Sequence, residues 1–321
     1  MQQMETHVRP FFSIRVLPKW LFSISLKEAT FSYRGFRGSE GPTRQRLERI
    51  GMTFLLGYHA AIENPGPLAL VQQLNSTDRE LRGFAFEGAA MGLALLDMLT
   101  PWKRDRWSSF FCHVAKAHWY MAHVGAGWAL ARLQRWVRTY PAGFDPLLRW
   151  LALDGYGFHE GYFYWKKYID GHTLPRQISG YARRAFDQGL GRSLWFVEGA
   201  EVERLPLTIA GFDPSRQGDL WSGVGLACAY AGGACRDDIE KLRIAAKSYG
   251  SHLAQGAAFA AKARQRSDNP VAHTHTACAA LCGLSAEAAA QLTDEALKDL
   301  PDDGEVPAYE IWRQRIRSNF V

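Results

Sequence analysis

Glycines set inside long apolar runs are the feature that most narrows what this chain can fold into. HVGAGWALAR, DGYGFHEGYFYW, FDQGLGRSLWFVEGAE and SGVGLACAY each place them among residues that otherwise read as helix. A mid-helix glycine destabilises by roughly 1 kcal/mol relative to alanine. Such positions need a packing reason, and the missing side chain supplies one: a neighbouring helix or a flat ligand can come close. With 30 glycines and 11 tryptophans in 321 residues, both sides of that packing, bare backbone and large rings, are abundant.

The surrounding pattern is helix, short break, helix. RQRLERIGMTFLLGYHAAI (44–62) carries the stripe Leu47, Ile50, Phe54 and Leu55 and stops at ENPGP. Further helices are predicted over 81–99, 107–137 (bending or dividing around Gly125 and Gly127), 145–168, 174–189, 193–204, 218–232, 236–265, 272–282, 285–299 and 306–318. Pro146, Pro175 and Pro214 suit first turns, where a missing N–H is tolerated; Asp213 and Asp219 suit caps. Period-two alternation is scarce after residue 40; before it, FFSIRV and FSISL read as short strands or an amphipathic helix. The expectation is an all-α fold of layered helix pairs, arranged as a solenoid or a closed α/α toroid. Residues 1–40 form a short, non-helical, aromatic and basic N-terminal segment, and 41–321 a single helical domain.

Composition excludes several classes. Hydrophobic residues at 47% and charged residues at 22% indicate a globular chain. The net charge of +6 is scattered rather than gathered in a tract, so nucleic acid is not an expected partner. Five cysteines without a CxxC pair point to reduced thiols and a cytoplasmic location. No uncharged apolar run reaches about 18 residues, so no transmembrane segment is expected. Phosphate-loop, HExxH, CxxCH, dinucleotide-loop and GxSxG patterns are missing, and no cofactor is expected.

One short motif recurs. GFAFEGAAM, YGFHEGYFYW and SLWFVEGAEV share aromatic-x-Glu-Gly, with LAQGAAFAAKA a weaker relative in which Gln255 replaces Glu. The intervals between the glutamates are unequal, so no fixed repeat follows. Two readings stand. Each glutamate caps a helix or pairs with a buried arginine, or Glu87, Glu160 and Glu198 converge on one cavity as acid-base groups. His159 joins them as a candidate, although it points about 100° from Glu160 on a helix. Glu160 and Tyr164, four apart, can meet. His123, Tyr156, Tyr162, Tyr164, Trp165, Arg192, Trp195 and Trp221 are the candidate ligand contacts. His113, His118 and His123 are spaced by five and share no face. His275, Cys278 and Cys282 do share one but lack a fourth ligand. No metal site is assigned.

Taken together, GFAFEGAAM, HVGAGWALAR, LRWLALDGYGFHEGYFYW, FDQGLGRSLWFVEGAE and DLWSGVGLACAYAGG resemble a bacterial family associated with enediyne biosynthesis, often called UnbL and also labelled unknown-function domain family 1702. The terminal AYEIWRQRI fits the same pattern. The resemblance implies a role in making or handling an enediyne polyketide or a related precursor; it carries no established reaction and no catalytic set. An enzyme or enzyme partner that cyclises or rearranges an apolar conjugated polyene is the first expectation, with Glu160 moving the proton and a polyketide-pathway protein as a second partner. A non-catalytic polyene carrier or chaperone and a helical interaction scaffold are the alternatives.

Overall fold

The computed structural model describes residues 22–63, 66–100, 102–133 and 144–320, and these form helices and connections with no strand. The principal helices are α1 (Pro42–Glu63), α2 (Pro67–Asn75), α3 (Arg82–Leu99), α4 (Trp119–Leu133), α5 (Arg149–Phe163), α6 (Tyr181–Val197), α7 (Arg204–Ala210), α8 (Pro214–Ala231), α9 (Arg236–Ala246), α10 (Gly250–Arg266), α11 (Ala272–Cys282), α12 (Ala286–Glu295) and α13 (Ala308–Arg317). The all-α expectation holds. FFSIRV lies outside the described residues, and FSISL forms no strand but leads into a helical turn, Leu26–Ala29, and a short helix, Phe31–Arg34.

Several boundaries differ from the sequence pattern, for identifiable reasons. The 107–137 stretch is not one helix: Arg106–Ser109, a π-turn at Phe110–Val114 and a 3-10 turn at Lys116–His118 precede α4. Residues 174–204 hold one helix, α6, because the glycines of GLGRS lie in its middle rather than at a break. The 236–265 stretch divides at Lys247, whose φ of 51° no helix continues through. Asp213 caps α8 by accepting from the Ser215 N–H at 2.9 Å, with Pro214 in the first turn. Asp219 is no cap; it lies buried within α8. Pro146 and Pro175 sit in the connections before α5 and α6.

The interior glycines are helix crossings. A Cβ placed on Gly57 would lie 2.0 Å from the Ala85 carbonyl oxygen, and one on Gly88 would lie 1.9 Å from that of Phe54. The same reciprocal pairing joins α4 to α5 (Gly127 with Ala152, Gly155 with Val124) and α5 to α6 (Gly157 with Phe186, Gly189 with Asp154). It continues from α6 to α8 (Gly191 with Leu220, Gly223 with Gln188) and from α8 to α10 (Gly225 with Leu253, Gly256 with Ser222). Between α3 and α4 the contact is one-sided, Gly125 against the Glu87 carbonyl. In each reciprocal pair the residue number rises on one helix as it falls on the other, so neighbours run antiparallel.

Two glycines spaced by two lie about 200° apart on a helix. The first of each G-x-G therefore meets the preceding helix and the second meets the next. The array α1-α3-α4-α5-α6-α8-α10 grows from this repeated unit and curls on itself. Arg46 on α1 donates to the Ala231 carbonyl at the end of α8 (2.6 Å), and Thr43 donates to Gly233 (2.7 Å). Arg264 on α10 donates to the carbonyls of Glu80 and Tyr230. The buried side chains form one continuous core.

Gly189→Ala is expected to lower thermal stability despite its better helix propensity, because its Cβ would fall 1.7 Å from the Asp154 carbonyl oxygen. Overpacking of this kind costs about 1–3 kcal/mol or more. Gly250→Ala, with nothing within 4 Å of the added atom, should be neutral or stabilising by up to about 1 kcal/mol. Thermal melts of the two variants check the contrast.

Candidate functional site

The residue before the first glycine of each crossing points away from both neighbouring helices, into the curl. These residues are Glu87, Asp154, Gln188, Ser222 and Gln255, all buried and all polar; α4 has the buried, apolar Val124 there, and on the first helix, α1, the residue before Gly57 is Leu56, which is exposed. Most satisfy one another. Gln188 donates to Asp154 (2.8 Å), Ser222 to Gln255 (2.9 Å), and Arg192, one turn on from Gln188, donates to Asp154 at 2.5 Å. Helix α13 inserts Tyr309 and Arg313 beside them. Arg313 reaches Gln255 at 3.2 Å and pairs with Asp219 at 2.7 Å and Glu310 at 3.2 Å.

Gln188 Oε1 and Gln255 Nε2 are left over, and Glu87 makes no hydrogen bond at all. It is 1% exposed, neither carboxyl oxygen has a hydrogen-bond partner, and its nearest cation, Arg192, stands off at 3.8 Å. One guanidinium faces two carboxylates here, and Asp154 holds it directly. Burial therefore dominates Glu87 and pushes its pKa up to about 7, against the pull of Arg192 and with a further push from Asp154. The indole N–H of Trp128 and the hydroxyl of Tyr230, both buried, are also without partners.

A void of about 30 Å³ adjoins Glu87. Phe54, Phe84, Trp128, Phe158, Tyr162, Phe163 and Phe196 supply its ring lining, and Glu28, Gly51 and Phe163 are the partly exposed residues on its border. Arg34 closes that side. It pairs with Glu28 at 2.7 Å, donates to the carbonyls of Tyr162 and Phe163, and stacks on the Phe163 ring at 5.0 Å. A second void of about 30 Å³ lies among Tyr120, Leu151, Arg192, Tyr230, Phe259 and Trp312. Arg192, over the Phe158 ring at 4.6 Å, stands between the two sets of walls.

The predicted site residues are distributed unevenly over this interior. Glu87 and Tyr162 line the first void and Arg192 the second. The three glutamates are all buried but do not share a site: Glu87 is without a hydrogen bond, and the other two have separate partners. Glu198 pairs with Arg37 at 2.6 Å and accepts from Thr208 at 2.9 Å. Glu160 meets His159 Nδ1 at 3.0 Å, so these neighbours do touch despite their angular separation. Burial lowers the His159 pKa against the pull of Glu160. Tyr164 follows the end of α5 and is 52% exposed. His123 bridges the Trp119 carbonyl and the Asp145 N–H, and burial lowers its pKa to about 4. The Tyr156 hydroxyl accepts from Gln177; Trp165 and Trp195 donate to the carbonyls of Arg34 and Gly232; Trp221 is buried in α8. His275 turns to Glu287, whereas Cys278 and Cys282 turn to carbonyls of α10.

Sequence reasoning missed Asp154, Trp128 and Tyr230, and the signal for the first was present. The true repeat is polar-Gly-x-Gly at Gly155, Gly189 and Gly223, at intervals of 34 residues, with polar-Gly alone recurring 33 residues on at Gly256. The Glu-Gly echo mixed registers. Gly88 and Gly256 sit on crossings, but Gly161 lies further along α5 against Ser193, and Gly199 makes a left-handed turn (φ 67°) against Gly38.

Fold and site together define an all-α protein whose helices curl around a buried acid in an apolar, ring-lined interior. Over residues 13–320 the chain matches the family described as a protein of unknown function, DUF1702, and it belongs to that family. No curated protein and no solved structure matches it. No described helix is long and apolar enough to cross a membrane.

Glu87 makes stability depend on pH with a defined sign. Its folded pKa lies above the ordinary carboxyl value of 4.5, so the folded state is favoured most below that value and loses stability as pH rises through about 7. The full change is on the order of 3 kcal/mol. In denaturant titrations, Glu87→Gln should gain by that amount relative to the wild type between acid and pH about 8. A pH-independent difference would show that Glu87 ionises normally.

Proposed function

We propose that this chain acts on an apolar conjugated polyene of the enediyne type, using Glu87 as its proton donor and acceptor. One observation carries the reading: an unpartnered carboxyl, held near neutrality by burial, faces a void walled by aromatic rings. The neutral acid delivers its proton to a carbon of the conjugated chain, leaving a delocalised cation beside the faces of Phe54, Trp128 and Phe158. Return of a proton from another carbon to the carboxylate isomerises the chain; attack by a second double bond on the cation closes a ring before that return. The sequence resemblance to enediyne-associated proteins supports the substrate class. All five cysteines are unpaired, in keeping with a reducing cytoplasm. A pathway protein that releases the polyene is the second partner this reading implies.

At about 30 Å³ the void holds roughly a water molecule, so the chain must enter by displacing the segment that Arg34 latches. Arg34→Ala should accelerate polyene association severalfold, read by stopped-flow quenching of tryptophan fluorescence. An unchanged rate would place the route elsewhere.

Incubation with the polyene released by the cognate synthase tests the chemistry. The wild type should convert it, and Glu87→Gln, similar in volume but unable to exchange a carboxyl proton, should still bind while turnover falls by about 100-fold or more. Normal turnover in that variant removes Glu87 from the mechanism. Binding without conversion by the wild type favours a carrier.

A further inference from the structure

We infer that the ligand of this site ends in a conjugated carbonyl group, whose oxygen is received by the Tyr230 hydroxyl, the Trp128 indole N–H and the Glu87 carboxyl. This rests on the polyene reading above and narrows it.

Among the buried polar atoms without a hydrogen-bond partner, four belong to Glu87 and its neighbours: both oxygens of Glu87, Nε1 of Trp128 and the Tyr230 hydroxyl. Buried polar groups are rarely left so, because each unmade hydrogen bond costs about 1–3 kcal/mol. Their setting is specific. Trp128 lies near enough to Glu87 to favour its ionised form while remaining outside hydrogen-bond geometry. The Tyr230 hydroxyl occupies the space that a side chain on Gly83 would fill, 2.0 Å from such a Cβ. Gly83 and Glu87 share a face of α3, one turn apart; the carboxyl borders the first void and Tyr230 the second, and the two are close enough to interact electrostatically.

The chemistry of the three groups selects the ligand. An indole N–H only donates, and a phenol and a neutral carboxyl both donate readily. Three donors call for an acceptor oxygen. An anion fits poorly, because Arg192 is already balanced by Asp154 at 2.5 Å. A neutral carbonyl meets both conditions. The void beside Glu87 also has the size of such a head group rather than of a chain, and its ring-lined wall leads towards the border at Glu28 and Phe163.

The test compares a linear conjugated tetraenal with the tetraene hydrocarbon of equal chain length, both with the full chain. The wild type should bind the tetraenal about tenfold more tightly and shift its absorption to the red, as donors on the oxygen stabilise the excited state. Tyr230→Phe should lose most of that preference and reduce the shift while keeping its affinity for the hydrocarbon; Trp128→Phe supplies the same readout if the first variant does not fold. Equal affinities with no shift would overturn the carbonyl assignment and leave the polyene reading standing. Binding of neither probe would overturn both. A preference and shift unaltered in the folded variants would place the oxygen elsewhere and sink the assignment.

Discussion

Backbone packed directly on backbone at the glycine crossings is the constraint from which the rest of the structure follows. Where Gly155 meets the Val124 carbonyl and Gly189 meets that of Asp154, no side chain separates the helices, so their spacing and rotation are fixed together. Rotation decides which residue faces the interior. The position before each first glycine is thereby committed to the centre of the curl, and the chain uses it for Glu87, Asp154, Gln188, Ser222 and Gln255. The polar interior and the close packing are two consequences of one repeat.

Polar groups so deeply buried must be satisfied by one another or remain costly. Most of them are satisfied, through Arg192 on one side and Arg313 on the other. The Arg313 side is rich in cations: Glu310 collects Arg184, Arg313 and Arg317 as well as the Tyr181 hydroxyl, and these cations hold its pKa down to about 2 against burial. The Arg192 side is one cation short. That imbalance, rather than any single contact, leaves Glu87 near neutrality beside the aromatic void. Glu87 is thus an acid without a direct cation where an apolar ligand would meet it.

Much of the fold was legible in the sequence because helical periodicity and turn residues are local signals. The breaks at ENPGP and before Pro214 could be read directly. The interior of α6 could not, since GLGRS reads as a break unless the glycines are understood as contacts with helices far along the chain. The site was legible in part for the same reason. Glu87 and Arg192 stood out through type and setting, and Tyr162 through its rings. Tyr230 and Trp128 carry no local mark; only the tertiary arrangement leaves their polar atoms without partners. The Glu-Gly pairs at 160 and 198 misled because dipeptide identity says nothing of register, whereas the spacing of G-x-G does.

Infrared difference spectroscopy of the wild type against Glu87→Gln, followed across pH, reads the protonation of this carboxyl itself. A protonated-carboxyl stretch, missing from the variant, should persist well above the ordinary carboxyl range and titrate near pH 7. A Glu87 band that is already ionised at pH about 5, within the range of an unperturbed glutamate, would contradict a pKa raised by burial.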